Sequence, residues 1–498
     1  MTTEGEFDFN LTEATIAEIH SEIAKQNITI IQIVRYYLDR IKKFDDLNAI
    51  ISTNPNAIER ADELDEKWTE SGFISPVHGI PVIVKDNVDT NDMPTTSGSV
   101  LFEDTIPPED AYIVKQIRDA GGIILAKANL GEISSGSLSS LGGQTRNPYN
   151  PARDTGGSSS GTGASIAANL GVIGIGTDTG GSVRHPSGFC SLVGLRPTTG
   201  LLSRTGIAPI SETQDTAGPM TRTVTDAAIM MDVMAGYDPA DELSARTRYN
   251  ISDRFTSCLT RNGLRTARLG VPQQLFGPKT EKGHNPEREA EVVTEVITTA
   301  LDDMASVGAE LVKIDVMPDL EAKVSAASAG SYEFRREFND YLDRLGDAAP
   351  IDSPKEIQES GTVEGYVRLE ERLATDPETL DENLEYLQAL DSRKHLQRLL
   401  LTTMEDRDLD AIVYPMASRI PSRTAEDRLY RTSSNAKMAA YSGFPAMTVP
   451  AGYDDEWGTP VGVEFLAGPF EEARLFELAY AYERLSERRI PPSDYTDI

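Results

Sequence analysis

The strongest constraint on the fold is an alternation of two patterns. From about residue 71 onward, short apolar runs at 80–84, 123–126, 172–176, 411–414, 446–450 and 461–465 are separated by segments with helical spacing. Those segments lie near 111–120, 162–170, 224–236, 287–306, 319–345, 383–404, 434–442 and 470–487. Strands that alternate with helices predict an α/β fold, with a single large mixed β-sheet core surrounded by helices. The first 70 residues read as helices instead. Thr12 is placed to cap a segment running to about Lys25, and Asn27 or Thr29 to cap a second with Ile31, Ile33, Val34, Tyr37, Leu38 and Ile41 on one face; a third spans roughly 56–71. With no repeat or low-complexity linker, the expected organisation is an N-terminal helical segment, 1–70, packed on one continuous domain, 71–498.

Composition narrows the function classes. Apolar residues make up 39% of the 498, enough for a large core. Lys plus Arg number 47 against 79 Asp plus Glu, a net charge of −32. A nucleic-acid binder needs clustered cations, so no nucleic-acid partner is expected. Two cysteines, Cys190 and Cys258, exclude a disulfide scaffold and any multi-cysteine metal site. There is no H-E-x-x-H pair, so neither metal nor other cofactor is expected. The N-terminus lacks a secretory pattern and no apolar run approaches ~18 residues, so no membrane association and a cytoplasmic location are expected. Such acidity, with only 14 Lys among the cations, predicts a halophilic protein, because self-repulsion at high net charge is relieved by salt.

One stretch departs from this acidic background. Residues 130–205 are rich in Gly, Ser and Thr and poor in charge, which predicts a buried, crowded backbone. Within it, TGGSSSGTG (155–163) precedes an apolar helical run, so its backbone N–H groups form an anion-receptive turn. It fails as a phosphate loop, because Thr162 stands where lysine is required. It also matches G-x-S-x-G, which would make Ser159 a nucleophile in need of a downstream acid and histidine. Only His185, His284 and His395 follow it, and none is well placed.

A second motif, GTDTGGSVR (176–184), follows a strand-like run. Two glycines before a serine aim several N–H groups at one point, as an oxyanion hole requires; the plain alternative is a strand-terminal loop with a buried aspartate. The third, PVIVKDN (81–87), ends an apolar run on Lys85. There a lysine either snorkels to the surface or, if buried, loses its proton readily and acts as a base. Ser434 and Lys437 match S-x-x-K without its companion elements, and carry no weight.

Together these elements resemble the amidase signature family, from about Leu11 to Pro492. The core match is GGSSSGTGASIAANLGVIGIGTDTGGSVRHPSGFCSLVGLRPT (156–198). It is joined by HGIPVIVKDNVDT (78–90), AGGIILAKANLGE (120–132), GGQTRNPYN (142–150), GFPAMTVPAG (443–452) and PVGVEFLAGPFEEARLFELAYAYE (460–483). The resemblance implies the amidase signature fold, with 71–498 as catalytic domain, and amide hydrolysis through a Ser–cis-Ser–Lys triad. By motif position Ser182 is the nucleophile, Ser158 the bridging serine after a cis peptide bond, and Lys85 the base. The N–H groups of Thr179, Gly180, Gly181 and Ser182 would form the oxyanion hole, with Ser159 and Asp178 in support. The departures, Ser160-Gly161 and Thr162, are small residues for small residues. The region between about 264 and 414 would line the substrate pocket, and the N-terminal helices offer a surface for a homodimer.

Within the family, LGGQTRNPYN (141–150) and GLLSRTGIAPISETQDTAGPMTRTVTDAA (200–228) look most like hydrolytic amidases of the peptide-amidase sort, acting on a small-molecule or peptide amide. The rival is the glutaminase subunit of the glutamyl-tRNA(Gln) amidotransferase, which feeds ammonia to a partner. Its glutamine-holding members carry an acidic residue about a dozen positions before the Gly-Phe-Pro turn, where Ser433 stands here. A non-catalytic relative would have lost a triad member, and none is lost.

Overall fold

The computed structural model describes residues 9–251, 254–278, 285–363, 367, 369–424 and 434–496. Thirteen strands form among them: β1 (Ile50–Thr53), β2 (Pro81–Lys85), β3 (Ile123–Ala128), β4 (Leu138–Ser139), β5 (Gly143–Gln144), β6 (Ile173–Thr177), β7 (Val193–Arg196), β8 (Ala217–Thr221), β9 (Arg268–Pro272), β10 (Glu310–Ile314), β11 (Ala411–Pro415), β12 (Ala446–Tyr453) and β13 (Pro460–Leu466). Eleven belong to one mixed sheet, in the order β1-β3-β2-β6-β8-β7-β12-β13-β11-β9-β10, while β4 and β5 pair separately. The neighbours β3, β2 and β6 run parallel. From β6 across β8, β7, β12 and β13 to β11 each pairing is antiparallel, and β11, β9 and β10 are again parallel. This is the expected α/β architecture.

The central strands are apolar at most positions because helices cover both faces; β2, β3, β6, β7, β8, β11 and β13 are buried throughout. The first 70 residues supply helices α1 (Ile16–Ala24), α2 (Ile30–Lys43) and α3 (Ala57–Ser71), and also the edge strand β1. Ile19, Ile23, Ile33 and Val34 share one core with Val82, Ile175 and Val463. The cap of α1 is Thr15, not Thr12: Thr15 and Glu18 form a reciprocal capping box. Thr29 caps α2 in the same way with Gln32. Chain with helical spacing at 319–345 forms two helices, Leu320–Ala326 and Gly330–Leu345.

Helix α4 (Tyr112–Asp119) precedes β3, and helix α5 (Ser160–Ala167), buried at every residue, carries the serine-rich turn at its start. Its far end is held from the N-terminal helices. Arg40 of α2, fully buried, donates from Nη2 to the carbonyl of Ala168 (2.9 Å) and from Nε to that of Asn169 (2.7 Å). A guanidinium there satisfies orphan carbonyls and complements the negative end of the helix dipole. The charge-poor stretch is interior, as its composition predicts, from residue 155 on, whereas much of 134–154 is half-buried or exposed. No helix among the described residues is long and apolar enough to cross a membrane.

Candidate active site

The site grows from two adjacent parallel strands. Val84 of β2 lies opposite Ile175 of β6, so both strands end at the same edge of the sheet, β2 on Lys85 and β6 on Thr177. The next strand, β8, runs antiparallel and begins opposite Thr177 at Ala217. Open α/β sheets bind ligands at the carboxyl ends of parallel strands, where the strand pattern changes.

Lys85 is fully buried. Its Nζ lies 2.7 Å from Ser158 Oγ and 2.7 Å from Thr177 Oγ1. Burial pushes its pKa down to about 7, against the opposing pull of the Asp215 and Asp178 carboxylates. An amine in this state is neutral in much of the population near neutral pH, and a neutral amine accepts a proton.

Ser158 is buried and follows a cis Gly157–Ser158 peptide bond. A side chain at Gly157 is impossible, since a Cβ there would lie 1.7 Å from the Gly136 carbonyl oxygen. Ser159 stands at the N-cap position of α5 without capping it and is also buried. Its Oγ donates to the Thr177 carbonyl (3.2 Å) and accepts from the Thr177 N–H (3.3 Å). That hydroxyl clamps the end of β6, and no histidine among the described residues bonds it. His185 Nε2 bonds Ser434 Oγ instead, and burial followed by the Arg184 charge pushes its pKa down to about 4. His395 stands beside Asp391, and His284 lies outside the described residues. Among the described residues, the G-x-S-x-G arrangement therefore does not assemble around Ser159.

Ser182 sits on the loop between β6 and helix α6 (Arg184–Phe189) and is partly exposed, unlike Ser158 and Lys85. Its carbonyl accepts from the Ser159 N–H (3.3 Å), which stitches the Ser182 loop to the serine-rich turn beside Ser158. Asp178 shapes this loop from within. Its Oδ1 accepts from the Gly181 N–H (2.8 Å) and its Oδ2 from the Val183 N–H (3.2 Å). The Gly181 N–H is therefore taken, contrary to the expectation that it faces an oxyanion. The N–H groups of Thr179, Gly180 and Ser182 make no hydrogen bond among the described residues. Gly181 has φ +121°, a backbone that residues with a side chain rarely adopt.

Asp178 is the centre of a buried ionic cluster. Arg184 Nε (3.1 Å) and Arg196 Nη1 (3.0 Å) both donate to it, and Arg184 Nη1 reaches Glu464 Oε1 on β13 (2.8 Å). All four residues have no exposed surface. Burial alone would raise the Asp178 pKa, but the two guanidiniums and the Gly181 N–H hold it well below the usual carboxylate range. Glu464 also accepts from Tyr414 Oη (2.7 Å) and Thr448 Oγ1 (3.0 Å). Beside the site, a small cavity is lined by Asn87, Ser134, Thr177, Thr179, Ile210 and Asp215. Asp215 accepts from Thr179 Oγ1 and from the Ile210 N–H (2.7 Å).

Lys85, Ser158, Ser159, Asp178 and Ser182, read from separate motifs, thus occupy one region. Sequence reasoning missed Thr177, Asn87, Asp215, Arg184, Arg196 and Glu464. For two of the charged ones a signal was present: Arg184 and Arg196, with Asp178, are the only Asp, Glu, Lys or Arg residues between 155 and 203. Among the described residues, no group of three or more His, Cys, Asp or Glu could hold a metal ion.

Residues 32–476 match the Amidase family profile. The chain belongs to the amidase signature family. It is 32% identical to a probable amidase of Arabidopsis thaliana over 97% of this chain and 92% of that protein. It is 30% identical to a glutamyl-tRNA(Gln) amidotransferase subunit of Gloeothece citriformis, over 96% of this chain and 99% of that one. The crystal structure of native peptide amidase from Stenotrophomonas maltophilia superposes with a TM-score of 0.85 at 32% identity, covering 96% of this chain and 98% of that one. The protein is an enzyme of amide C–N bonds, and its eleven-stranded sheet with surrounding helices is the fold of that family.

Proposed function

We propose that the protein is a free-standing amidase that hydrolyses a carboxylic amide to acid and ammonia or amine through an acyl-enzyme on Ser182. The observation that carries this reading is a fully buried Lys85, 2.7 Å from Ser158 Oγ, with its pKa pushed down to about 7. In the first step Ser158 passes the Ser182 hydroxyl proton to neutral Lys85 as Ser182 Oγ attacks the amide carbon. The carbonyl oxygen becomes an oxyanion, received by the N–H groups of Thr179, Gly180 and Ser182. Asp178 holds Gly181 and Val183 so that those donors stay aimed. The proton then returns from Lys85 through Ser158 to the departing nitrogen, and the C–N bond breaks. Water repeats the sequence on the ester, releasing acid and restoring Ser182. The same reading includes substrate contacts from the region between about 264 and 414 and an assembly of two copies through the N-terminal helices.

The test is turnover by the purified chain of C-terminally amidated peptides, aryl and aliphatic amides, and glutamine. Release of ammonia or amine without any added protein supports the reading. A second reading, the glutaminase component of an amidotransferase, has in its favour the 30% identity to such a protein over almost the whole chain. Against it stands Ser433, which lies outside the described residues. Activity on glutamine alone, and only with further subunits present, would establish that second reading.

A further inference from the structure

The described residues line a second cavity, open to solvent and of about 510 Å³, none of whose lining residues belongs to the Lys85–Ser158 site. Its volume is that of a small-molecule pocket. Two arginines face it, Arg246 and Arg393. Arg246, exposed, has no ion pair among the described residues, and Arg393, on the helix Leu384–Glu405, donates only to the Tyr441 carbonyl (3.0 Å). The carboxylate that acts on it most, Glu333, is already bonded to Ser211, Thr213 and Tyr386. Burial and the charges of Arg196 and Arg246 lower the Arg393 pKa to about 10, as expected where positive charge is left unbalanced.

The remaining wall sets the class of ligand. Phe444, Phe470 and Leu401 supply apolar surface. Glu212 also lines the cavity and is paired with Arg336 (2.8 Å). With Glu212 engaged by Arg336, the guanidiniums of Arg246 and Arg393 are left to an anion, and planar forks beside an apolar wall suit a carboxylate monoanion with an apolar body. We propose that this cavity binds a carboxylate with an aromatic or aliphatic body, its carboxyl group between Arg246 and Arg393 and its body against Phe444 and Phe470. The occupant would lie close to the reaction centre without entering it. Gln214, which follows the wall residues Glu212 and Thr213, donates to the Thr179 carbonyl (3.1 Å), and the Tyr441 ring stands beside Gly180.

The test is calorimetric titration of the full chain with 3-phenylpropionate, 3-phenylpropanol and inorganic phosphate. Saturable binding of 3-phenylpropionate is expected, with the neutral alcohol and phosphate each at least about tenfold weaker. Arg246→Gln and Arg393→Gln should each weaken it by about tenfold or more, and Ser182→Ala should leave it unchanged. Arg246 is exposed, so its variant should keep the wild-type melting temperature and isolates binding from folding. Equal binding of the alcohol would make the cavity merely apolar, and tighter binding of phosphate would overturn the monoanion assignment. Affinity untouched by Arg246→Gln, or no saturable binding of 3-phenylpropionate, would overturn the site itself.

Discussion

Thr177 Oγ1 stands as close to Lys85 Nζ as Ser158 Oγ does, each 2.7 Å away. Thr177 ends β6 and Lys85 ends β2, so the hydroxyl fixes the lysine from the neighbouring strand. Thr177 is therefore a positioning residue. Thr177→Val should lower kcat by about tenfold or more, the usual scale for a misplaced general base. Thr177→Ser, which restores the hydroxyl, should recover most of it. The pH profile is the deciding readout: loss of an acceptor for the ammonium form moves the acid limb to lower pH, whereas a purely structural defect leaves it in place.

Activity should fall on the acid side with a midpoint near the Lys85 value of about 7. Lys85→Arg should be as inactive as Lys85→Ala, since guanidinium does not release its proton. Stability moves with the same group. In the unfolded chain the lysine holds its proton up to about 10.5, in the fold only up to about 7. The unfolded state therefore binds more protons in that window, stability rises with pH across it, and the burial penalty is fully present below it. Lys85→Met removes the charge, so its melting temperature relative to wild type should be most favourable at pH 7 and decline towards pH 10. A difference independent of pH would contradict a lysine with a lowered pKa.

Ser182→Ala should reduce kcat by several orders of magnitude, comparable with the ~10⁶ of other serine triads, and leave the melting temperature nearly unchanged. Ser159→Ala should do the reverse. Its buried hydroxyl serves the Thr177 N–H and carbonyl, and stranding those groups costs about 1–3 kcal/mol of stability. Trapping an acyl adduct on Ser182 by mass spectrometry checks the first half, and chemical denaturation the second.

Asp178→Asn should be strongly destabilising, by about 3–5 kcal/mol, because it leaves Arg184 and Arg196 buried with one anion fewer. Equilibrium unfolding in urea measures it. A variant as stable as wild type would remove Asp178 as the organiser of the Ser182 loop.

We further propose that the net charge of −32 makes the fold salt-dependent. Exposed acidic runs such as Glu405 and Asp406 repel across distances only partly screened at ~0.1 M salt, where the Debye length is ~10 Å, and almost fully screened at ~1 M, where it is ~3 Å. Not every acidic run contributes. Asp454 is buried and accepts from the N–H groups of Trp457 (2.6 Å) and Thr459 (2.8 Å), and Asp65 accepts from the first N–H groups of α2. The melting temperature should climb steeply between about 0.1 M and 2 M KCl. A flat profile would leave the acidity without a role in stability.

What the sequence showed of the fold divides along a physical line. The six strands expected from apolar runs are present, at 81–85, 123–128, 173–177, 411–415, 446–453 and 460–466. Several of those not expected carry turn-like or charged residues. Strand β8 reads AGPMT and places Pro219 opposite Ile175 in the middle of the sheet, a position that proline ordinarily avoids. Strand β9 reads RLGVP, and β7 ends on a buried arginine. In each case long-range burial overrides local propensity. The site was legible where a motif is contiguous, as at Gly180-Gly181-Ser182. The ionic cluster behind it was not, because Glu464 reaches Arg184 across 280 positions, and no local pattern encodes such a pairing.

The four-residue ionic cluster has a consequence for how the catalytic loop moves. The Gly181 and Val183 amides end on Asp178, Asp178 on Arg196 of β7, and Arg184 on Glu464 of β13. Opening the loop by itself would strip Asp178 of two amide donors while its charge stays buried between Arg184 and Arg196. In hydrogen–deuterium exchange the two amides should consequently behave as core residues, exchanging only with the slowest, globally unfolding class. The reaction centre then fluctuates no more freely than the sheet that carries it.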